Sequence, residues 1–93
     1  MKLKYSKHIE ARLRLRGITH ELPREIFEDA SERYLDAETG HLIAVMPVEL
    51  YGRIREAMVA YVVGKDCAIL LTIHPLKDGQ KDSRIRSGRW RKL

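Results

Sequence analysis

The sequence predicts an α+β domain in which a short strand and two helices precede an antiparallel sheet of three to four strands. Three observations carry this reading. Residues 5–18 look like a helix marked at both ends. Residues 33–74 hold alternating and β-branched apolar runs separated by glycine turns. The chain has 93 residues, 44% hydrophobic and 33% charged, which supplies one domain's worth of core.

Leu3 to Tyr5 reads as the opening strand. The helix that follows has Ser6 at its start, where a hydroxyl can accept from a free backbone N–H of the first turn. Gly17 stands at its end, where a left-handed conformation costs glycine no Cβ clash. At about 100° per residue, Lys7, Glu10 and Arg14 form the solvated face, and Ile9, Ala11, Leu13 and Leu15 are expected to pack. His8, Arg12 and Arg16 recur every four residues and form one column. That column falls inside the packing arc, where an unpaired charge is costly. Two explanations follow. Arg12 and Arg16 pair with carboxylates of the second helix, such as Glu28 or Asp29, with His8 partly buried; or the column lines a groove that receives an anion.

Ile18 and Thr19 make a tight connection, and Thr19 is placed to cap the second helix. Pro23 fits only near such a start, because its missing N–H costs nothing there. Leu22, Ile26, Phe27 and Ala30 give this helix one apolar face, which reads as core. Arg33 to Asp36 is the next strand. Ala37-Glu38-Thr39-Gly40 is a turn, and His41 to Val48 pairs back as a hairpin, with Pro47 marking an end or an edge position. Residues 49–63 carry both helical and strand signals. Tyr51-Gly52-Arg53 favours a turn, and Met58 to Val63 has strand chemistry, so strand–turn–strand is preferred. Gly64-Lys65-Asp66 then turns into a strand from Cys67 to His74, stopped by Pro75. Simple alternation puts Ile69, Leu71 and Ile73 on one face and Leu70, Thr72 and His74 on the other.

The net charge is +5, and its position is informative. From Lys77 to the end there are seven basic and two acidic residues, while the residues before it balance at eleven of each. The reading is therefore a single domain over 1–76 with a basic C-terminal tail over 77–93, suited to an acidic partner. Gly79 and Gly88 interrupt the tail. Trp90, the only tryptophan, lies between Arg89 and Arg91, as a base-stacking segment or a tail anchored by one aromatic would require. The single cysteine, Cys67, excludes an internal disulfide and lies in an apolar run. His8, His20, His41 and His74 show no metal-ligand spacing, and no cofactor motif is present. No apolar run approaches the ~20 residues that span a bilayer, and there is no signal peptide, so a cytoplasmic protein is expected.

With Ser6-Lys7-His8, Arg12, Arg16-Gly17-Ile18 and Thr72-Ile73-His74-Pro75 placed on this order of elements, residues 4–75 resemble a small bacterial family, the 4258 family of domains of unknown function. That family is similar, at a distance, to the RelE/ParE/BrnT toxins, which are grouped with barnase-like ribonucleases. The resemblance implies a RelE-like domain and RNA cleavage, with His8, Arg12 and the Thr72–His74 strand end as the positions that matter.

Metal-independent RNA cleavage needs a base for the 2′-OH, an acid for the leaving oxygen, and cations on the phosphate. His8 and His74 are the candidate acid–base pair, since an imidazole titrates near neutral pH. Arg12, Arg16 and Thr72 would hold the phosphate, for which a planar guanidinium is well shaped. Arg84, Arg86, Arg89 and Trp90 would hold flanking RNA. The expectation is thus an endoribonuclease toxin. The alternative is a non-catalytic module that binds RNA, the ribosome or a protein. An acidic antitoxin-like protein docking on the tail is a third reading.

Overall fold

The computed structural model describes all 93 residues. The first helix, α1 (Lys7–Arg16), forms where its end signals place it. Ser6 Oγ accepts from Ile9 N–H at 3.0 Å, and Gly17 takes φ 64° as the left-handed cap. Its buried residues are Ile9 and Leu13, whereas Ala11 is exposed and Leu15 is 84% exposed. The packing stripe is therefore narrower than expected, and the His8-Arg12-Arg16 column lies at its margin.

The strand before it, β1, spans Lys2–Tyr5. The second helix, α2 (Leu22–Asp29), starts three residues after Thr19. Glu21 occupies its cap position without a side-chain bond, and Pro23 sits in its first turn. Thr19 contributes its carbonyl, accepting from Leu22 N–H, and no hydroxyl cap.

The remaining elements are β2 (Glu32–Asp36), β3 (Leu42–Leu50), β4 (Arg53–Val63), β5 (Cys67–Pro75), α3 (Gln80–Arg86) and β6 (Trp90–Lys92). The region 49–63 is strand, turn and strand. Tyr51 and Gly52 both have positive φ, 56° and 79°, and such a two-residue turn matches the twist of the strands it joins. Pro47 lies past the last β2–β3 pair, Glu32↔Val45, so its missing N–H faces no partner strand.

The strands form one six-stranded sheet in the order β1-β5-β4-β3-β2-β6. The central meander is the expected antiparallel unit. The outer two strands enlarge it: β1 adds parallel to β5, and β6 adds antiparallel to β2. Fold class α+β holds, with a larger and mixed sheet.

A bulge in β5 changes its faces. Tyr61 pairs with Leu70 and Ala60 with Thr72, so Leu71 is an extra residue on that strand. Leu70 and Ile73 consequently both join the core beneath the helices, with Ile9, Leu13, Ile26 and Val59. Thr72 and His74 lie opposite Ala60 and Met58, which belong to a second, smaller core on the other face. The expected grouping of Ile73 with Ile69 and Leu71 fails at this bulge.

The second core holds Tyr34, Ile43, Val45, Met58, Ala60 and Trp90. Residues 77–93 are folded beside it, which corrects the division into a domain and a tail. Lys81 of α3 binds Glu56 at 2.7 Å and Glu32 at 3.1 Å. Trp90 is 3% exposed and stacks on Tyr34 at 5.6 Å. Asp36, also buried, accepts from Arg89 at 3.2 Å and pairs with Trp90 in the β2–β6 ladder. Arg89 and Lys81, two of the tail's seven cations, are thus spent on internal ion pairs.

Candidate nucleic-acid interface

The β1–β5 ladder ends at Leu70. Beyond it, Leu71 to Pro75 has no neighbouring strand on that side, and its carbonyls need donors. The start of α1 supplies them: Ser6 N–H donates to Leu70 O and Ser6 Oγ to Leu71 O, both at 2.9 Å. Arg12 Nε donates to Ile73 O at 3.0 Å. This accounts for a charge in the packing arc. Arg12 lies along an open strand edge, and its partner is a backbone carbonyl rather than a carboxylate. Glu28 pairs instead with Arg24, and neither Arg12 nor Arg16 has an ion-pair partner.

Arg12 Nη2 also lies 2.7 Å from His74 Nδ1. A guanidinium can only donate, so Nδ1 is the acceptor and the ring proton sits on Nε2. Burial first, then the charges of Arg12 and Arg16, push His74 down to about 4. At neutral pH the ring is uncharged and its basic nitrogen is already engaged.

Next to this edge lies a cavity of about 670 Å³ on the sheet face away from α1 and α2. Its floor is apolar, built from Ile43, Met58, Ala60 and Trp90, and Thr72 and His74 border it. Five cations open onto it: Arg16 from α1, Arg53 and Arg55 from β4, Lys77 from the connection after β5, and Arg84 from α3. None of the five has a carboxylate within ion-pair distance. Arg89 and Asp36 also border the cavity but neutralise each other, and Asp78 is the one further carboxylate in the lining, with no ion-pair partner. Burial pushes the Asp36 carboxyl up, but bonds from Arg89 and from Glu38 N–H outweigh this and hold it below the usual range.

The only buried side-chain N or O atoms without a hydrogen-bond partner are Arg55 Nε, Thr72 Oγ1 and Trp90 Nε1, and all three residues border this cavity. Each such group costs about 1–3 kcal/mol when left unsatisfied. Two are pure donors, and the hydroxyl can donate. A ligand rich in acceptors and negative charge would relieve all three.

The structure therefore brings together Arg16, Thr72, His74 and Arg84, with Arg12 behind His74. His8 is near enough to His74 to act on its titration, but no hydrogen bond joins the two rings. His8 is exposed on α1 and does not border the cavity, and His74 is locked to Arg12. Trp90 is not a stacking platform for a base, because Tyr34 covers one face of the indole and Arg84 stands 5.9 Å from its centroid. Arg86 is exposed and away from the cavity. Sequence reading missed His41, Lys77 and the pair Arg53 and Arg55. The pair shares its parity with Ala57 and Val59 of the first core, so strand alternation gives no signal that it reaches a cavity built on Met58 and Ala60.

Compared with protein-family models, curated proteins and solved structures, the chain matches none. No helix is long and apolar enough to cross a membrane, and no three His, Cys, Asp or Glu side chains lie where they could share a metal ion.

Proposed function

We propose that this chain binds single-stranded RNA in the cavity beside the end of β5. The observation that carries the reading is the set of five cations without ion-pair partners around an apolar floor, bordered by three residues whose buried polar atoms lack partners. Phosphates answer the cations, and the apolar side chains of Ile43, Met58 and Ala60 suit the non-polar parts of a nucleotide. A buried-ligand site of this size lies within the usual range for small and extended ligands. Helices α1 and α2 occupy one sheet face, and the other is left to the cavity, with α3 at its side.

Cleavage of the bound strand, as by an endoribonuclease toxin, is a second reading. It is favoured by the number of guanidinium groups near one point, because these would stabilise the charge that develops on a phosphate under attack. In it His74 has its Nδ1 already engaged by Arg12, and His8 lies outside the cavity lining. Of the histidines, His41 is the one other than His74 that borders the cavity.

The test is binding of a fluorescent oligoribonucleotide across a salt series, with gel analysis of the same samples for strand breaks. Five phosphate contacts on a single strand give a log–log salt slope of about −3.5. Arg16→Ala with Arg84→Ala should flatten it by about 1.4. Tight binding that ignores salt, or no binding at low salt, refutes the reading. Intact RNA together with salt-dependent binding leaves the non-catalytic form.

A further inference from the structure

Arg12 makes two contacts from one guanidinium. Nε is tied to the Ile73 carbonyl at 3.0 Å, and Nη2 reaches His74 Nδ1 at 2.7 Å. The first contact prevents the group from swinging away. The second fixes which ring nitrogen carries the proton. We propose that His74 serves the cavity as a fixed hydrogen-bond donor: Arg12 holds the ring in its Nε2–H tautomer, and that N–H is offered to a non-bridging phosphate oxygen of the bound strand. Arg12 is then a positioning residue and His74 a binding residue that exchanges no proton. This rests on the RNA reading above and assigns a role within the same site.

Four features support it. His74 Nε2 has no partner within the protein, whereas Nδ1 is engaged on the α1 side. A doubly protonated ring would have to give up Arg12, because both its nitrogens would then donate. The charged and titratable groups that face the ring are Arg12, Arg16 and His8 from α1 and Arg84 from α3, with Met58 opposite it on β4; none is a carboxylate. A proton on the ring would add one more cation to a group without carboxylates, and burial first, then these cations, depress the titration of His74. Finally, Thr72 shares its strand face with His74 by alternation, opposite Ala60 and Met58, and Thr72 Oγ1 is buried without a partner. Two neutral donors thus stand two residues apart on one strand face, with Arg16 and Arg84 beside them. Neutral donors hold a phosphate oxygen at fixed geometry, and the guanidinium groups supply the charge.

The experiment uses the full chain labelled with ¹⁵N-histidine. Ring nitrogen spectra at neutral pH report the tautomer of His74 before any ligand is added. The expected result is an unprotonated Nδ1 and a protonated Nε2. An oligoribonucleotide, whose phosphodiesters do not titrate in this range, is then added, and the ring signals are followed together with Trp90 fluorescence. The His74 Nε2–H signal should shift on binding. His74→Gln, which keeps an N–H near that position, should bind within about threefold of the parent, and His74→Ala should weaken binding by roughly tenfold or more. Arg12→Met frees Nδ1. Relative to the parent, its affinity should gain a rise as pH falls below about 6.5, because burial, Arg16 and Arg84 still act on the ring once Arg12 is gone; His8 and His41 are present in both proteins, so the difference belongs to His74. An Nδ1–H tautomer overturns the proposal. So does a His74→Gln variant as weak as His74→Ala, or RNA binding that moves Trp90 but leaves the His74 ring unchanged; in those cases the RNA reading stands. Absence of any RNA binding removes both.

Discussion

Replacing Asp36 by Asn tests whether the basic C-terminal segment belongs to the fold. Asp36 is 3% exposed and accepts from Glu38 N–H at 2.9 Å, from Thr39 N–H at 3.3 Å, and from Arg89 through Nε and Nη2 at 3.2 Å each. Asparagine keeps one oxygen, which still serves the two backbone donors of the turn. Its amide then faces a guanidinium, donor against donor. The Nη2 bond to Oδ2 is lost and the Nε bond to the retained Oδ1 now meets a neutral acceptor, where each charge-assisted bond was worth about 1.5–3 kcal/mol. Arg89 is 30% exposed, so water recovers part of that, and the net loss should be about 2–3 kcal/mol. That is a substantial part of the roughly 5–14 kcal/mol expected for a domain of this length. Urea unfolding read by both far-UV circular dichroism and Trp90 fluorescence is the assay. The fluorescence transition should move to lower urea first, because Trp90 sits beside Arg89 on the strand that loosens. The pH dependence has a definite sign. The carboxyl titrates lower in the folded state than unfolded, so its contribution is complete above about 4 and fades as pH falls through the folded value. A loss below about 0.5 kcal/mol, with both probes coincident, would mean that β6 is not held this way.

Three further outcomes follow from the same geometry. His74 titrates near 4 when folded against about 6.5 when unfolded. The unfolded chain therefore binds more protons in that window, and the domain should lose about 1–2 kcal/mol between pH 6.5 and 4.5 after allowance for screening; denaturation curves of His74→Gln should lack that component. Ser6→Ala removes the α1 cap and the donor to Leu71 O together, and thermal unfolding should register a loss of about 1–2 kcal/mol. Gly52→Ala meets no atom within 4 Å but must hold φ 79°, so its cost should be backbone strain alone, about 1 kcal/mol by urea midpoint.

Much of the architecture was legible because its signals are local. Ser6 and Gly17 bound α1, Pro23 marks the first turn of α2, and Tyr51-Gly52 splits two strands, each through constraints that a few neighbouring residues impose. The bulge at Leu71 was not legible, since a run of apolar residues carries no mark of where one of them is skipped. That single offset moved Ile73 away from Leu71 and into the core beneath the helices. Arg84 and the Thr72–His74 pair could be nominated for the cavity from residue type and position. The demotion of Trp90 and Arg89 could not, because a tryptophan between arginines reads alike whether it stacks on a base or on Tyr34.

By itself the chain specified an α+β domain, the ends of its first helix, and a column of positive groups on that helix's inner margin. Only the folded arrangement decided what the column meets. Parallel addition of β1 stops at Leu70 and leaves the carbonyls beyond it open, and Arg12 satisfies one of them while fixing His74. Contacts of this kind join residues some sixty positions apart, and no local pattern encodes them. They arise from which strand edges the sheet leaves unpaired.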